Sequence, residues 1–406
     1  MDLQTGRFYW PTTIGHHPNY PQLEEDLTCD VLIIGGGSSG AQCAYYLSQY
    51  DLDVVVVDKR EIGSGSTSAN TALIQYSGDK MFFELANTFG EDRAARHLKI
   101  CQKAIDEIEK LAKDIPIDCH FTRRDSLYYA SSQDDVKKID QEYQLLKKHD
   151  FDVVYMTEAE LIKLYPFQTP AAIYSYNDAE LNPLAFTYGL LEKAKSNGVK
   201  IFSNTEVIRK KAEEDYVQYF TTSQKLIKAK KVIVAAGYEG LEVKKEKNAL
   251  ITSSYAIISK PVEEFWHKRT LIWETARPYF YMRTTPDNRI IFGGLDETTE
   301  FADRRNSMLL HKRDLLVKEF TKLFPSIKFE PEFYLAAFYG GTHDGMPILG
   351  IYEDIPNSYF LYGYGDNGTV YSTVLAQMIS ELIVKGSHPD LDLYIQTRPT
   401  LSSVIK

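Results

Sequence analysis

The stretch Val31-Leu32-Ile33-Ile34-Gly35-Gly36-Gly37-Ser38-Ser39-Gly40, answered downstream by Val54-Val55-Val56-Val57-Asp58, decides the fold of this chain. An apolar run enters a cluster of glycines, a second apolar run ends on an acid, and their separation suits a strand, a helix and a strand. This is the dinucleotide fingerprint in its expected context. Gly35 permits the tight turn out of the strand, Gly37 lets the backbone approach a pyrophosphate, and Gly40 lets the following helix pack close to the strand. The pyrophosphate is expected on the helix N-terminus beside Ser38 and Ser39, where free N–H groups and the helix dipole favour an anion. Asp58 is expected to take the ribose hydroxyls, with Lys59 and Arg60 next to it as further cofactor contacts.

The bulk properties narrow the class. At 406 residues the chain exceeds what one core usually supports, so two intimately packed domains are expected. Apolar content of 44% and charged content of 25% are those of a soluble globular protein. The net charge of −10 argues against a nucleic-acid partner and against a basic patch for anionic membranes. No segment reaches the ~18 apolar residues of a membrane span. Residues 1–20 lack the charged start and apolar centre of a signal peptide, which makes a cytoplasmic location the expectation. Cys29, Cys43, Cys101 and Cys119 form no C-x-x-C pair and read as reduced thiols, and no metal site is expected. His16-His17 lies in a Pro-rich stretch with no third ligand and reads as an exposed pair.

Residues 1–28, punctuated by Pro11, Pro18 and Pro21, predict an extended arm ahead of the fold. Over residues 91–113 Ala94, Leu98, Cys101, Ile105, Ile108 and Ala112 recur at three and four, one face of a long helix. Thr157 and Glu160 predict a capping box, and Asn182-Pro183 a cap and first-turn proline for a helix that Gly198 stops. Residues 200–235 alternate in short strand-like runs, residues 255–292 read as an antiparallel sheet, and residues 308–323 and 369–385 read as helices. Since the fingerprint sits near the N-terminus, its sheet must be completed by strands near residues 232 and 360.

Further segments make the reading specific. Gly63-Ser64-Gly65-Ser66-Thr67-Ser68-Ala69-Asn70 follows the fingerprint; Val232-Ile233-Val234-Ala235-Ala236-Gly237 and Arg289-Ile290-Ile291-Phe292-Gly293-Gly294-Leu295-Asp296 come later. Asp344-Gly345-Met346-Pro347-Ile348-Leu349-Gly350 and Gly363-Tyr364-Gly365-Asp366-Asn367-Gly368-Thr369 close the series. In this order, from about residue 30 to 385, they resemble the FAD-dependent oxidoreductases of the D-amino-acid oxidase and glycine oxidase family, which has sarcosine oxidase-like and γ-glutamylputrescine oxidase-like members. The resemblance implies an α/β fold in which a Rossmann-type, GR2-like FAD-binding domain is interleaved with a mixed antiparallel-sheet substrate domain. The expected division assigns residues 29–80, 180–245 and 335–395 to FAD and residues 81–179 and 246–334 to substrate. It also implies flavin contacts from Ser64, Ser66, Thr67, Ser68, Asn70, Thr71 and Ala72, from Val207, Ala235, Ala236 and Gly237, and from Gly341, Asp366, Asn367, Gly368 and Thr369. The last helix then points its N-terminus at the flavin, where its dipole favours the charge of the reduced ring.

The implied reaction is hydride transfer from the carbon next to an amine onto the flavin, giving an imine that water hydrolyses. Sarcosine oxidase-like relatives attach flavin through a cysteine where Ala337 lies here, so noncovalent FAD is expected. They carry an oxygen-activating lysine where this chain has Ile291, which makes a dehydrogenase credible and leaves the acceptor as oxygen or unknown. Glycine oxidase-like members hold the substrate carboxylate with an arginine ahead of the Asp-Gly-x-Pro motif; Phe338-Tyr339-Gly340-Gly341-Thr342-His343 contains none. Tyr279, Tyr281 and Arg283 alternate along one predicted strand, so Tyr281 and Arg283 are candidates for a carboxylate, and His343 for the amine proton or a flavin hydrogen bond. The expected partner is a small amine or amino acid. Two alternatives are an NAD-dependent Rossmann dehydrogenase, which shares the fingerprint but does not require the C-terminal glycine motif, and a non-catalytic flavin-fold binding protein.

Overall fold

Val54–Val57 is buried at every position and Leu27–Ile34 and Leu226–Val234 are apolar through their C-terminal halves, the pattern of strands covered on both faces. In the structure, a computed structural model describing residues 1–401, they form the centre of the smaller of two sheets. Its order is Ile348–Ile351, Ser358–Tyr362, Leu226–Val234, Leu27–Ile34, Val54–Val57, Lys200–Phe202. All neighbours are parallel except the first pair. Val207–Ala212 and Val217–Thr221 extend it as an antiparallel meander from Leu226–Val234. The helix Ser38–Leu47 follows the first of these strands and packs against the helices Pro183–Ser196 and Gly368–Lys385. The predicted strands near residues 232 and 360 are therefore both present, side by side on one side of the fingerprint strand and parallel to it.

The larger sheet is mixed. Its order is Gln4–Arg7, Pro331–Thr342, Ala249–Ser259, Ile290–Glu297, Tyr281–Thr284, Leu271–Glu274, Thr122–Tyr129, Ala171–Glu180, Leu73–Ile74, with Val153–Thr157 also paired to Ala171–Glu180. Most pairs are antiparallel; Leu271–Glu274 and Thr122–Tyr129 run parallel. The helix Ala302–Leu323 lays Leu316 and Phe320 on one face of this sheet, against Phe292 and Ile257 in a shared core. The capping signals read from sequence are realised: Thr157 and Glu160 form the box, and the Asn182 carboxamide oxygen accepts from the N–H groups of Leu184 and Ala185 at 3.1 Å. The long amphipathic helix runs Glu91–Asp114 and packs on the final helix.

Two expectations are corrected. Residues 1–28 do not form a free arm: Gln4–Arg7 is the edge strand of the larger sheet, and Tyr9, Trp10, Tyr20 and Leu23 are buried. The prolines that suggested an extended arm sit between these anchors, and the aromatic side chains supply the burial that overrides the loop-like composition. Leu73–Ile74 and Pro331–Thr342 pair into the larger sheet, although residues 29–80 and 335–395 were expected beside the cofactor fingerprint. All four cysteines are buried and unpaired. Among the described residues, no helix is long and apolar enough to cross a membrane.

Trp10 tests the anchoring of the first segment, because its indole N–H donates to the Asn70 carbonyl at 2.7 Å while its ring is buried beside Tyr9. Trp10→Ala should lower unfolding free energy by about 3–5 kcal/mol, the cost of truncating a buried aromatic. Denaturant melts should show it, whereas a loose arm would leave the midpoint unchanged.

Candidate active site

A cavity of about 580 Å³ runs between the two sheets, bounded at one end by Gly35, Gly37, Ser38, Ser39, Asp58, Lys59 and Arg60 and at the other by Trp273, Tyr279, Tyr281 and Tyr339. It opens at the C-terminal ends of the parallel strands, where ligands bind in doubly wound sheets. The fingerprint glycines owe their identity to close approach. Gly35 has φ +110°, and a Cβ there would stand 2.4 Å from the Ala235 carbonyl oxygen; one on Gly40 would stand 1.8 Å from the Gly35 oxygen. A Cβ on Gly37 would meet only the Thr67 hydroxyl at 3.1 Å, and Gly37 lies on the cavity wall. No side chain caps the helix that starts at Ser38; the Ser38 N–H alone reaches the Thr67 hydroxyl, at 3.1 Å. This leaves first-turn backbone donors at the cavity edge, which suits a pyrophosphate.

Asp58 is oriented by its own backbone surroundings. Its two oxygens accept the N–H groups of Gly36 at 2.8 Å and Arg60 at 2.9 Å. Burial pushes its carboxyl above the usual range, partly offset by those two bonds. Each oxygen keeps a lone pair for a hydroxyl donor such as a ribose. Arg60 is held by Glu239 through two bonds of 2.7 and 2.9 Å, and Lys59 reaches the same carboxylate at 2.9 Å. Burial works against the Glu239 charge, but these cations overcome it and draw its carboxyl down to about 2. Both basic residues are thus held by one acid on the same wall, which leaves these three side chains with a net positive charge. The donor set, the uncapped helix and the glycine cradle fit an adenine dinucleotide.

Further along, Ser66, Thr67, Asn70, Thr71, Val207, Ala235, Ala236, Gly237, Asp366 and Gly368 also line the cavity. Gly368 starts the final helix, whose N-terminus has no side-chain cap. Other predicted contacts serve as the frame behind the wall. The Ser64 and Ser68 hydroxyls donate to the carbonyls of Glu61 and Gly63, both at 2.6 Å, closing the loop on itself. Ala72 has φ +54° and donates its N–H to the Asn70 carboxamide at 2.7 Å, while the Thr369 hydroxyl accepts from the Asn70 amide at 3.1 Å. Asn367 donates to the Ser77 carbonyl. Gly40 is packed on Gly35, and Gly341 sits in the strand Pro331–Thr342 against Leu250.

The substrate end differs more from expectation. Tyr281 lines the cavity; Arg283 does not. Both side chains leave the same face of the strand, but two residues along a strand is roughly 7 Å. That step carries Arg283 past the cavity edge to a site under the Trp10 ring, 1% exposed, where it donates to the Leu181 carbonyl at 2.9 Å and faces Glu180. His343 is exposed at the corner that follows the strand, its N–H donating to the Asn248 carbonyl at 2.8 Å. Ile291, placed in the position of the oxygen-activating lysine, is buried in the core and off the wall.

In their place the structure assembles Asp79, Asp366, Tyr279 and Tyr339. The Tyr279 hydroxyl donates to Asp366, and the Tyr339 hydroxyl lies within bonding reach of both carboxylates, 2.7 Å from Asp366 Oδ1. Desolvation and the neighbouring Asp366 charge hold the Asp79 carboxyl well above its ordinary range. Asp296 lies on the same wall, and burial, opposed by the Ser254 hydroxyl, lifts it to about 6. Sequence reading missed Asp79 because it lies in the loop just ahead of the short helix Phe82–Phe89 and carries no motif. Tyr279 was in view, but its partner Asp366 is 87 residues away.

Two substitutions separate wall from frame. Gly37→Val should fold, with stability changed by under about 1 kcal/mol, yet place a branched side chain in the cofactor path. Purified protein should then lack flavin absorbance while its melting curve stays near that of wild-type protein stripped of flavin. Arg283→Met should do the reverse, lowering stability by about 1–3 kcal/mol because it takes the buried donor from the Leu181 carbonyl, while Glu180 keeps Arg124 at 2.9 Å. It should leave the relative turnover of acidic and simple amine substrates unchanged; a selective loss of acids would return Arg283 to the substrate site.

The comparisons with known proteins agree with this geometry. Residues 30–382 match the family described as FAD dependent oxidoreductase, DAO. The Bacillus subtilis protein described as Rieske 2Fe-2S iron-sulfur protein YhfW is 27% identical over 98% of this chain and 77% of its own length. The γ-glutamylputrescine oxidoreductase of Escherichia coli is 22% identical over 92% and 88%. Among solved structures, L-proline dehydrogenase from P. horikoshii superposes with a TM-score of 0.76 at 20% identity, covering 93% of this chain and 98% of that one. Its likeness concerns the fold. The family match spans most of the chain and replaces the NAD alternative, so the protein belongs to the DAO family of FAD-dependent oxidoreductases.

Proposed function

We propose that this protein oxidises a carbon–nitrogen bond of an amine or amino acid, using noncovalently held FAD. The observation that carries the reading is a single cavity joining the dinucleotide end, at Gly37 and Asp58, to an aromatic chamber at Tyr279, Tyr281 and Tyr339. The two ends divide the work, with the smaller sheet supplying the cofactor part and the larger sheet the substrate part. When bound, the flavin accepts hydride from the carbon next to the nitrogen. The protein's own share is positional. Tyr281 and Trp273 wall the chamber and limit water, and the uncapped N-terminus at Gly368 offers its dipole to negative charge at the adjacent cavity. Asp366, held by two tyrosine hydroxyls, offers an acceptor for a proton from a substrate ammonium.

Support for noncovalent attachment is local: Ala337 lines the cavity, and among the described wall residues there is no cysteine or histidine. The acceptor is oxygen or an electron carrier. A carrier gains support from the absence of lysine at the substrate end of the described wall and from the relative described as a Rieske protein, since such clusters carry electrons. A cytoplasmic location belongs to the same reading.

Purified protein should be yellow, release its colour to the supernatant on acid precipitation, and bleach anaerobically with one or more members of an amine and amino-acid panel. Slow recolouring in air with fast recolouring by a dye would assign a dehydrogenase. A colourless protein that cannot be reconstituted overturns the cofactor reading, flavin left in the pellet overturns noncovalent attachment, and a yellow protein that no amine bleaches restores the non-catalytic alternative.

A further inference from the structure

The substrate end of the cavity carries acids and aromatic rings, and its charge has a consequence for what enters. Asp296 and Asp366 both stand on the wall. Asp296 Oδ1 is shielded from solvent and has no hydrogen-bond partner among the protein atoms, so no donor of the chain offsets the charge on that oxygen. Asp366 accepts from Tyr279 and Tyr339. Tyr339 has one hydroxyl hydrogen yet sits between Asp366 and Asp79, so the second of these contacts needs a proton on a carboxyl, and Asp79 is the one whose surroundings keep it. The pair therefore holds one negative charge, placed on Asp366 at the wall.

No cation at the substrate end of the described wall balances these acids. Lys59, Arg60 and Lys210 belong to the dinucleotide end, the first two held by Glu239 and Lys210 on the strand Val207–Ala212. The Arg277 guanidinium lies over the Tyr279 ring off the wall, donating to the carbonyls of Glu274, Ala276 and Asp79; its charge acts on Asp366 from behind that ring, but it lies outside the wall of the chamber. Lys312 is held by Glu297 at 2.8 Å and by the Leu295 carbonyl at 2.9 Å. A carboxylate brought into this chamber meets like charges and no guanidinium. A cation meets two acids and the faces of Tyr279, Tyr281 and Trp273, which attract it further.

We propose that the substrate half of the cavity selects an organic cation, an amine with no carboxylate beside the reacting carbon, through Asp296 and Asp366. This rests on the amine-oxidising reading above and narrows it. The selection is made before chemistry, so binding alone tests it.

The FAD-loaded protein is titrated with tert-butylammonium chloride and, separately, with sodium pivalate, while perturbation of the flavin absorption bands is followed. The two probes share a branched skeleton, and tert-butylammonium has no hydrogen on the carbon bearing nitrogen, so neither is consumed. Tert-butylammonium should give a saturable difference spectrum and pivalate none over the same range. Asp296→Asn and Asp366→Asn, each checked for retained flavin, should weaken the ammonium by at least about tenfold. Pivalate binding as tightly as the ammonium, silence from both probes, or Asn variants that both keep affinity within about threefold overturn the proposal. If one variant loses its flavin, the other variant and the wild-type pair of probes still decide. Failure of the function itself is separate, because it appears as protein without flavin or flavin that no amine bleaches.

Discussion

The parallel pairing of Leu27–Ile34 with Leu226–Val234 is the constraint on which the rest of the molecule depends. It joins segments about 200 residues apart and sets Gly35 against Ala235 so closely that a single methyl group would not fit. Closing so long a loop costs entropy that local structure cannot recover. The return comes from burying the apolar runs of the strands on both faces, under helices on one and under the antiparallel strands Val207–Ala212 and Val217–Thr221 on the other. Once the two strands are side by side their C-terminal ends share an edge, and the fingerprint turn, the loop 63–72 and Ala235-Ala236-Gly237 all face the same space. The cofactor end is a consequence of this register.

The second sheet answers the first across that space. Its strands Tyr281–Thr284, Ile290–Glu297 and Pro331–Thr342 bring Tyr281, Asp296 and Tyr339 to the wall, while Asp366 arrives from the loop after Ser358–Tyr362 in the other sheet. The bonds from Tyr279 and Tyr339 to Asp366 therefore tie the two sheets together at the substrate end. A carboxylate pair kept out of bulk water is costly unless its protons and partners are arranged. Here two phenols and a retained proton arrange them, and the same arrangement leaves one charge for the chamber. Binding character and the joining of the sheets are thus properties of one cluster.

The N-terminal segment completes the enclosure. Trp10 covers Arg283 and reaches Asn70, and Leu3 itself lines the cavity. Arg283 became a buried frame residue because this segment lies over it. Its strand position alone was compatible with a carboxylate site.

By itself the sequence determined the fingerprint part of the cofactor end, since the contacts there are made by backbone and by residues within one strand-helix-strand unit, while Ala235 and Glu239 reach it through the pairing of distant strands. Glycine spacing, the closing acid Asp58 and the apolar runs are local signals, and the conformations they require are local too. The same holds for the capping box at Thr157 and the Asn182 cap. Tertiary structure alone decided the substrate end. Alternation along a strand assigned Tyr281 and Arg283 to one face, but where the cavity stops along that face depends on Trp10, distant in the chain. The partnership of Asp79, Tyr339 and Asp366 spans separations of 260 and 27 residues, and a carboxylate's charge depends on which neighbours the fold delivers. No spacing rule encodes such a meeting, because the side chains involved are fixed by sheet register and by the packing of one sheet on the other.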